Sequence, residues 1–109
     1  MSEHYLLIAS RDPYTHTSAR RCYELAGQLA RGNARVTLFL LQNGVLPARP
    51  RGVSEELHAL ARSGVRVAAD ELSLRERGIA PGGLAPGIEA TSLEPVIEAL
   101  ESGAKLLWH

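Results

Sequence analysis

The stretch from Tyr5 to Arg31 constrains the fold more than any other part of the chain. The first strand is predicted at His4–Ala9, where an apolar run, 5–9, is followed by a polar, hydroxyl-rich loop, 10–18. An amphipathic helix is predicted from about Ala19 to Arg31, because its apolar residues fall on one side when placed at steps of about 100°. A continuous apolar strand that enters a helix through a polar loop is typical of the start of a parallel α/β sheet.

The same alternation continues to the end of the chain. Further strands are predicted at 35–41, 65–69, near 88–90 and at 104–108, and 42–52 reads as a turn and a proline-stiffened loop. Strands and helices that alternate with short links predict one α/β domain over residues 1–109. We expect a three-layer Rossmann-like or flavodoxin-like fold, with a mainly parallel sheet of about five strands.

Composition excludes several classes of protein. A single cysteine, Cys22, rules out an intramolecular disulfide. No apolar run approaches the roughly 20 residues of a membrane span, and the N-terminus lacks the order of a secretory signal, so we expect a cytoplasmic protein without a membrane partner. The four histidines show no metal-ligand spacing. Neither a metal nor a cofactor is predicted.

The formal net charge is zero, with 12 basic and 12 acidic residues. Residues 1–52 carry seven basic against three acidic side chains, a balance of +4, and residues 53–109 carry five against nine, a balance of −4. The asymmetry fits ordinary solvated helix faces best, and head-to-tail association or an anionic ligand near the N-terminal half are the alternatives. Because the domain is neutral and its basic residues do not interleave with aromatics, no nucleic-acid partner is expected.

The loop after the first strand holds the first candidate ligand-binding residues. In open α/β sheets ligands bind beyond the carboxyl ends of the strands, next to helix N-termini. Hydroxyls and backbone N–H groups here could hold a small anion, and His16 could donate a proton. Alternatively, Thr17 or Ser18 caps the helix and Asp12-Pro13 makes a turn. The candidates are Tyr14, Thr15, His16 and Thr17.

Three residues beyond the next strands are further candidates. Asn43 either forms a turn or contacts a ligand in the crevice. Asp70 either binds a ligand or caps the helix that follows it, and the cap is the simpler interpretation. Arg77 either holds an anion or pairs with a carboxylate across a subunit boundary.

Two further residues have both a structural and a functional interpretation. Cys22 lies near the centre of the apolar side of the first helix, so we expect a buried and unreactive thiol rather than a sulfur carrier. Trp108 is expected to pack, partly buried, at a sheet edge or a subunit contact.

The order of these segments resembles a known family. A strand ends in a Pro13-Tyr14 loop before an Ala/Arg-rich helix, and the Phe39–Val45 stretch runs from an aromatic strand into an Asn-Gly-Val turn. Val65–Val67 is followed, after a short helix, by Arg77–Ile79, and Ala104–Trp108 closes the chain. In this order and spacing the whole chain resembles the DsrE/DsrF-like family of sulfur-relay proteins.

The resemblance implies a small Rossmann-like subunit that assembles into trimers or hexamers. In members that transfer sulfur, a cysteine at the mouth of the third strand carries persulfide, and counting back from Arg77 puts that position at or near Asp70. A carboxylate cannot hold sulfane sulfur, because the chemistry needs a thiolate nucleophile. We therefore expect a non-catalytic binding or scaffold subunit, with a sulfur-carrier protein and a small anion as candidate partners.

Two other functions stay open at the level of sequence. One is an enzyme that uses Tyr14, His16 and Asp70 on a small anionic substrate. The other is a flavin- or nucleotide-binding module, suggested by the hydroxyl-rich first loop. A flavin phosphate loop usually contains a glycine, and 15–18 contains none.

Overall fold

The computed structural model describes residues 3–14, 16–49 and 55–108. Within them, the strands are β1 His4–Ala9, β2 Arg35–Leu40, β3 Arg66–Asp70, β4 Ile88–Thr91 and β5 Lys105–Trp108. The α-helices are α1 Thr17–Arg31, α2 Glu55–Arg62, α3 Glu71–Glu76 and α4 Glu94–Glu101, and two 3₁₀ helices span Gln42–Ala48 and Pro81–Gly83.

All strand pairs are parallel, and the spatial order is β4-β3-β2-β1-β5. The chain steps one strand at a time from β1 to β4, then crosses back to place β5 on the other side of β1. The predicted single α/β fold with a parallel sheet of five strands is confirmed. The chain leaves β1 toward β2 on one side and returns as β5 on the other side, so the carboxyl ends of β1 and β5 form the topological switch point of the sheet.

Alternate residues of the strands build two hydrophobic cores, one on each face of the sheet. Because crossovers are right-handed, the reversal after β4 puts α4 on the face opposite α1, α2 and α3. Leu7, Leu38 and Val67 point to the core under α1–α3. Leu6 and Phe39 point to the smaller core under α4. Continuous apolar strands are what two covered faces require.

Helix α1 begins two residues earlier than the sequence suggests, at Thr17, and its N-cap is His16. The expectation that Thr17 or Ser18 caps this helix is wrong. His16 has an extended backbone and makes no side-chain cap hydrogen bond. The turn is held by backbone groups instead, because His16 N donates to Asp12 O at 3.0 Å and Ala19 N donates to His16 O at 3.2 Å.

Residues 42–48 form a 3₁₀ helix, where a turn and loop were expected. Gln42 enters it with a positive φ of 53°. Leu41 N donates to Ala9 O at 2.9 Å, so this segment packs directly on the end of β1. A contact between residues so distant in sequence is invisible to local patterns, which is why the sequence reading of 42–48 was wrong. Residues 50–52 of the predicted loop lie outside the described residues.

The amino-terminal edge of the sheet contains a partly buried histidine. His4 Nε2 and Thr37 Oγ1 lie 3.2 Å apart, and His4 Nδ1 is buried with no partner among the described residues. Burial lowers the pKa of His4, and the neighbouring Arg35 charge lowers it further. The fold therefore favours the neutral imidazole over the imidazolium.

We expect the protein to lose stability as the pH falls below about 6.5, the ordinary pKa of histidine. Below that pH His4 is protonated in the unfolded chain but stays neutral in the folded protein, so protonation favours unfolding. The loss of stability stops once the pH falls below the lowered pKa of His4 in the folded protein. The free energy of unfolding, measured by urea titration from pH 8 to pH 5, checks this. The free energy of unfolding of the His4→Gln variant should fall less steeply with decreasing pH than that of the wild type. Equal slopes would contradict this role of His4.

Candidate functional site

The carboxyl ends of β2 and β3 meet in a buried hydrogen-bond network centred on Ser73. Asp70 Oδ2 accepts from both Ser73 N, at 2.9 Å, and Ser73 Oγ, at 2.7 Å. Ser73 Oγ in turn accepts from Gln42 N at 2.8 Å. Asp70 is thus the N-cap of α3 and only 6% exposed. The cap predicted from sequence is confirmed, and the carboxylate ties α3 to the end of β2 through Ser73.

Asn43 and Arg77 lie beside this network and contact each other. Arg77 Nε donates to Asn43 Oδ1 at 3.0 Å, and Arg77 Nη1 donates to Ser73 O at 3.2 Å. Glu76 Oε1 is 3.9 Å from the same guanidinium, whose side chain is 24% exposed. The structure therefore brings three of the candidates, Asn43, Asp70 and Arg77, into one cluster held together by Ser73.

Removing the Asp70 side chain should destabilise the protein by about 2–4 kcal/mol. Asp70→Ala deletes the helix cap, which costs about 1 kcal/mol, and leaves the buried Ser73 hydroxyl without its acceptor, which costs about 1–3 kcal/mol. Asp70→Asn keeps an acceptor oxygen and should lose less than half as much. Chemical denaturation measures both, and equal losses would contradict the capping role.

The loop between β1 and α1 holds the remaining candidates. Tyr14 N donates to Asp12 Oδ1 at 2.9 Å, an Asx turn that fixes the loop. The Tyr14 ring is exposed, His16 is exposed at the N-cap of α1, and Thr17 is the exposed first residue of that helix. Thr15 lies outside the described residues. These side chains face solvent, whereas the Asp70 carboxylate is enclosed with Ser73.

Trp108 and Ser10 join the two strands of the switch point. Trp108 Nε1 donates to Ser10 Oγ at 3.3 Å, across the ends of β5 and β1. Trp108 does lie at a sheet edge as expected, but it is 60% exposed in the single chain, so burial within the subunit is wrong, and burial at a subunit contact stays a prediction. The side chain is exposed because α4 packs over β1 and leaves the outer strand uncovered.

Cys22 is fully buried in the core under α1, as its place on the apolar side of the helix predicted. Burial raises the pKa of the thiol to about 11. The next residue, Tyr23, buries a hydroxyl with no partner among the described residues, and burial raises its pKa as well. Both groups are held in their neutral forms, so this thiol is poorly suited to nucleophilic chemistry.

The described residues contain no cluster of three His, Cys, Asp or Glu side chains that could hold a metal ion. Over the same part of the chain, none of the helices has the length and apolar character needed to cross a membrane.

Sequence reasoning found the residue types of this edge but missed Ser73. A signal for it was present, since Asp70 and Ser73 stand three positions apart at the start of a helix, the spacing of an N-cap and the residue whose backbone N–H donates to it. No local signal could pair Asn43 with Arg77, because 34 residues separate them and only the adjacency of β2 and β3 brings them together.

A model of the DsrE/DsrF-like family matches residues 3–108, nearly the whole chain. The chain belongs to the DsrE/DsrF-like family. The resemblance read from the sequence is thereby confirmed, and it associates the protein with sulfur relay at the level of the family. No curated protein matches the sequence.

Solved structures show the same fold at low sequence identity. The ychN protein from E. coli matches with a TM-score of 0.84 and 21% identity, covering 100% of both chains. A protein of unknown function from Methanobacterium thermoautotrophicum matches with a TM-score of 0.82 and 18% identity over 100% of both chains. A conserved protein of unknown function from Bacteroides thetaiotaomicron has a TM-score of 0.72 and 21% identity, covering 96% of this chain and 94% of that one.

Proposed function

We propose that this DsrE/DsrF-like protein is a non-catalytic binding or scaffold subunit of cytoplasmic sulfur relay. In this role it forms a homo-oligomer, a trimer or a hexamer, and binds a thiol-bearing sulfur-carrier protein without accepting sulfur itself. The observation that carries the proposal is the state of Asp70. The position where the family's sulfur carrier is expected holds a buried carboxylate, occupied by two hydrogen bonds from Ser73.

The state of the thiol supports the same conclusion. A persulfide carrier needs an accessible thiolate that can attack a sulfur donor. Cys22 is fully buried, and its pKa is raised to about 11 by that burial. Neither the usual position nor the cysteine of this chain therefore offers a nucleophile for sulfur transfer.

The outer part of the strand-end edge supports a binding role. Arg77 and Asn43 form a polar pair at its surface, and the Arg77 guanidinium offers a positive charge to a small anion or to an acidic group of a carrier. The alternative of an enzyme using Tyr14, His16 and Asp70 gains no support, because Asp70 is buried and its Oδ2 already accepts two hydrogen bonds from Ser73, whereas Tyr14 and His16 are exposed.

The test is binding of candidate sulfur-carrier proteins to the purified full chain, measured by isothermal titration calorimetry. We expect micromolar affinity, at least a tenfold loss in Arg77→Glu, and no change in the control Arg62→Glu, which alters an exposed arginine in the last turn of α2. Absence of binding at about 100 μM to every candidate would overturn the proposal. Equal affinity of the two variants would show that the edge around Arg77 is not the binding surface.

A further inference from the structure

A groove lies between helices α1 and α2. It encloses about 320 Å³, which is within the range of small-molecule sites. We call it the α1–α2 groove, and its lining includes Arg20, Tyr23, Gly27 and Arg31 of α1 and Glu56 and Leu60 of α2. None of these residues belongs to the cluster around Ser73, so the groove is separate from the candidate site at the strand ends.

Gly27 gives the groove its depth. Glycine in the interior of a helix costs stability relative to alanine, yet Gly27 is buried within α1. A Cβ added there would lie 3.3 Å from Arg31 Nη1 and 3.4 Å from Leu60 Cδ2. The missing side chain therefore leaves room into which the Arg31 guanidinium folds back from the next turn of the helix. Among the described residues this guanidinium has no ion-pair partner.

The Tyr23 hydroxyl lies toward the other end of the groove. Tyr23 is only 2% exposed, and its hydroxyl has no hydrogen-bond partner among the described residues. Helical side chains point back toward the N-terminus of their helix, which places this hydroxyl toward Arg20. Its pKa is raised mainly by burial, and the charge of Glu56 contributes, so the group remains a protonated donor. A buried donor without an acceptor is costly, and a bound acceptor would remove that cost.

An exposed ion pair closes the groove at the Tyr23 end. Arg20 Nη1 and Glu56 Oε1 are 3.7 Å apart, and their side chains are 56% and 48% exposed. Exposed ion pairs contribute little to stability, so this pair can open at small cost and admit a ligand. The carboxylates of Glu24 and Glu56 line the same groove, and they repel a second negative charge on a ligand. A ligand with one negative charge therefore fits better than a dianion.

We propose that the α1–α2 groove binds a small organic monocarboxylate that carries a neutral oxygen acceptor, such as a keto acid. Its carboxylate pairs with Arg31, and its carbon chain lies over Gly27 and Leu60. Its ketone oxygen accepts a hydrogen bond from the Tyr23 hydroxyl. The site is independent of the sulfur-relay role.

The length of the groove sets the length of this ligand. The Arg31 guanidinium lies at the level of Gly27, and the Tyr23 hydroxyl lies toward the level of Arg20. These two levels are seven residues apart, or about 10 Å along the helix axis. Two hydrogen bonds of about 2.9 Å leave about 5 Å between the polar ends of the ligand. A short keto acid such as 5-oxohexanoate has this span.

Titration of the purified chain with 5-oxohexanoate, followed by ¹H–¹⁵N NMR spectroscopy, tests the site. We expect saturable shifts of the Gly27 and Leu60 amides, with a dissociation constant of about 1 mM, and none with hexylamine, which has the opposite charge. Arg31→Gln should weaken binding at least tenfold, whereas Arg21→Gln, at an exposed arginine outside the groove, should not. Absence of saturation below about 20 mM, or equal losses in the two variants, would overturn the proposal.

Tyr23→Phe separates a ligand contact from a structural role. In the wild type, 5-oxohexanoate should bind about fivefold more tightly than hexanoate, which lacks the ketone, and the variant should bind both equally. Without ligand, the urea midpoint of the variant should match or exceed that of the wild type, because the change removes a hydroxyl that has no acceptor. A lower midpoint would show that the hydroxyl already has a partner in the fold and would overturn the proposal. Binding of a sulfur carrier, which depends on Arg77, would be unaffected by that result.

Discussion

Replacing Gly44 by alanine should destabilise the protein by at least about 3 kcal/mol, a loss large enough to compromise folding. A Cβ at this position would lie 2.0 Å from Ala9 O and 2.8 Å from Ala9 C, and both are backbone atoms that cannot rotate away. The 3₁₀ helix would have to separate from the end of β1. Since this segment also positions Asn43 against Arg77, the candidate site would be displaced with it.

Urea denaturation monitored by circular dichroism measures the effect of Gly44→Ala. The matched control is Gly82→Ala, because nothing lies within 4 Å of the Cβ that this change adds. It should alter stability by no more than about 0.5 kcal/mol. A loss below about 1 kcal/mol for Gly44→Ala would mean that the close approach of the 3₁₀ helix to β1 is not required.

Labelling of Cys22 by a thiol reagent in the native protein should be more than about 100-fold slower than labelling of an exposed cysteine. A pKa of about 11, against an ordinary value of 9.0, lowers the thiolate fraction about 100-fold at neutral pH. Full burial slows access further, so reaction must wait for the fold to open.

Stopped-flow absorbance with a chromogenic disulfide at pH 7.5 measures the labelling rate. The control is Ala59→Cys in a Cys22→Ser background, which places the thiol on the exposed surface of α2. In denaturing urea, Cys22 should react as fast as this control. Comparable rates in the native state would show that Cys22 is accessible. The burial of Cys22 would then no longer support a role without sulfur transfer.

The parts of the fold that follow from local pattern were predictable from sequence. β1 was predicted with the bounds it has, His4–Ala9, because a continuous apolar run can only be a buried strand in this context. Asp70 was predicted as a cap because a capping residue directly precedes the helix that it caps. In both cases the determining interactions are close in sequence.

The parts that depend on distant contacts were not predictable. The 3₁₀ helix at 42–48 forms where Gly44 meets the backbone of β1, and the exposure of Trp108 depends on where α4 crosses the sheet. The side-chain pair at the candidate site likewise follows from strand order, which periodicity does not reveal. The sequence therefore predicted that the candidate residues lie at the carboxyl ends of the strands. The structure shows that Asp70, Asn43 and Arg77 form a hydrogen-bonded cluster around Ser73, whereas the residues of the β1–α1 loop are exposed.

The central claim is a sulfur-relay fold without the relay chemistry, and intact-protein mass spectrometry after exposure to polysulfide tests it most directly. We predict an unchanged mass for the wild type, identical to the behaviour of Cys22→Ser. Addition of whole sulfur atoms to the wild type, absent from Cys22→Ser, would make Cys22 a sulfur carrier and contradict the account. As a positive control for the strand-end position, Asp70→Cys shows whether a thiol placed there can take up sulfur.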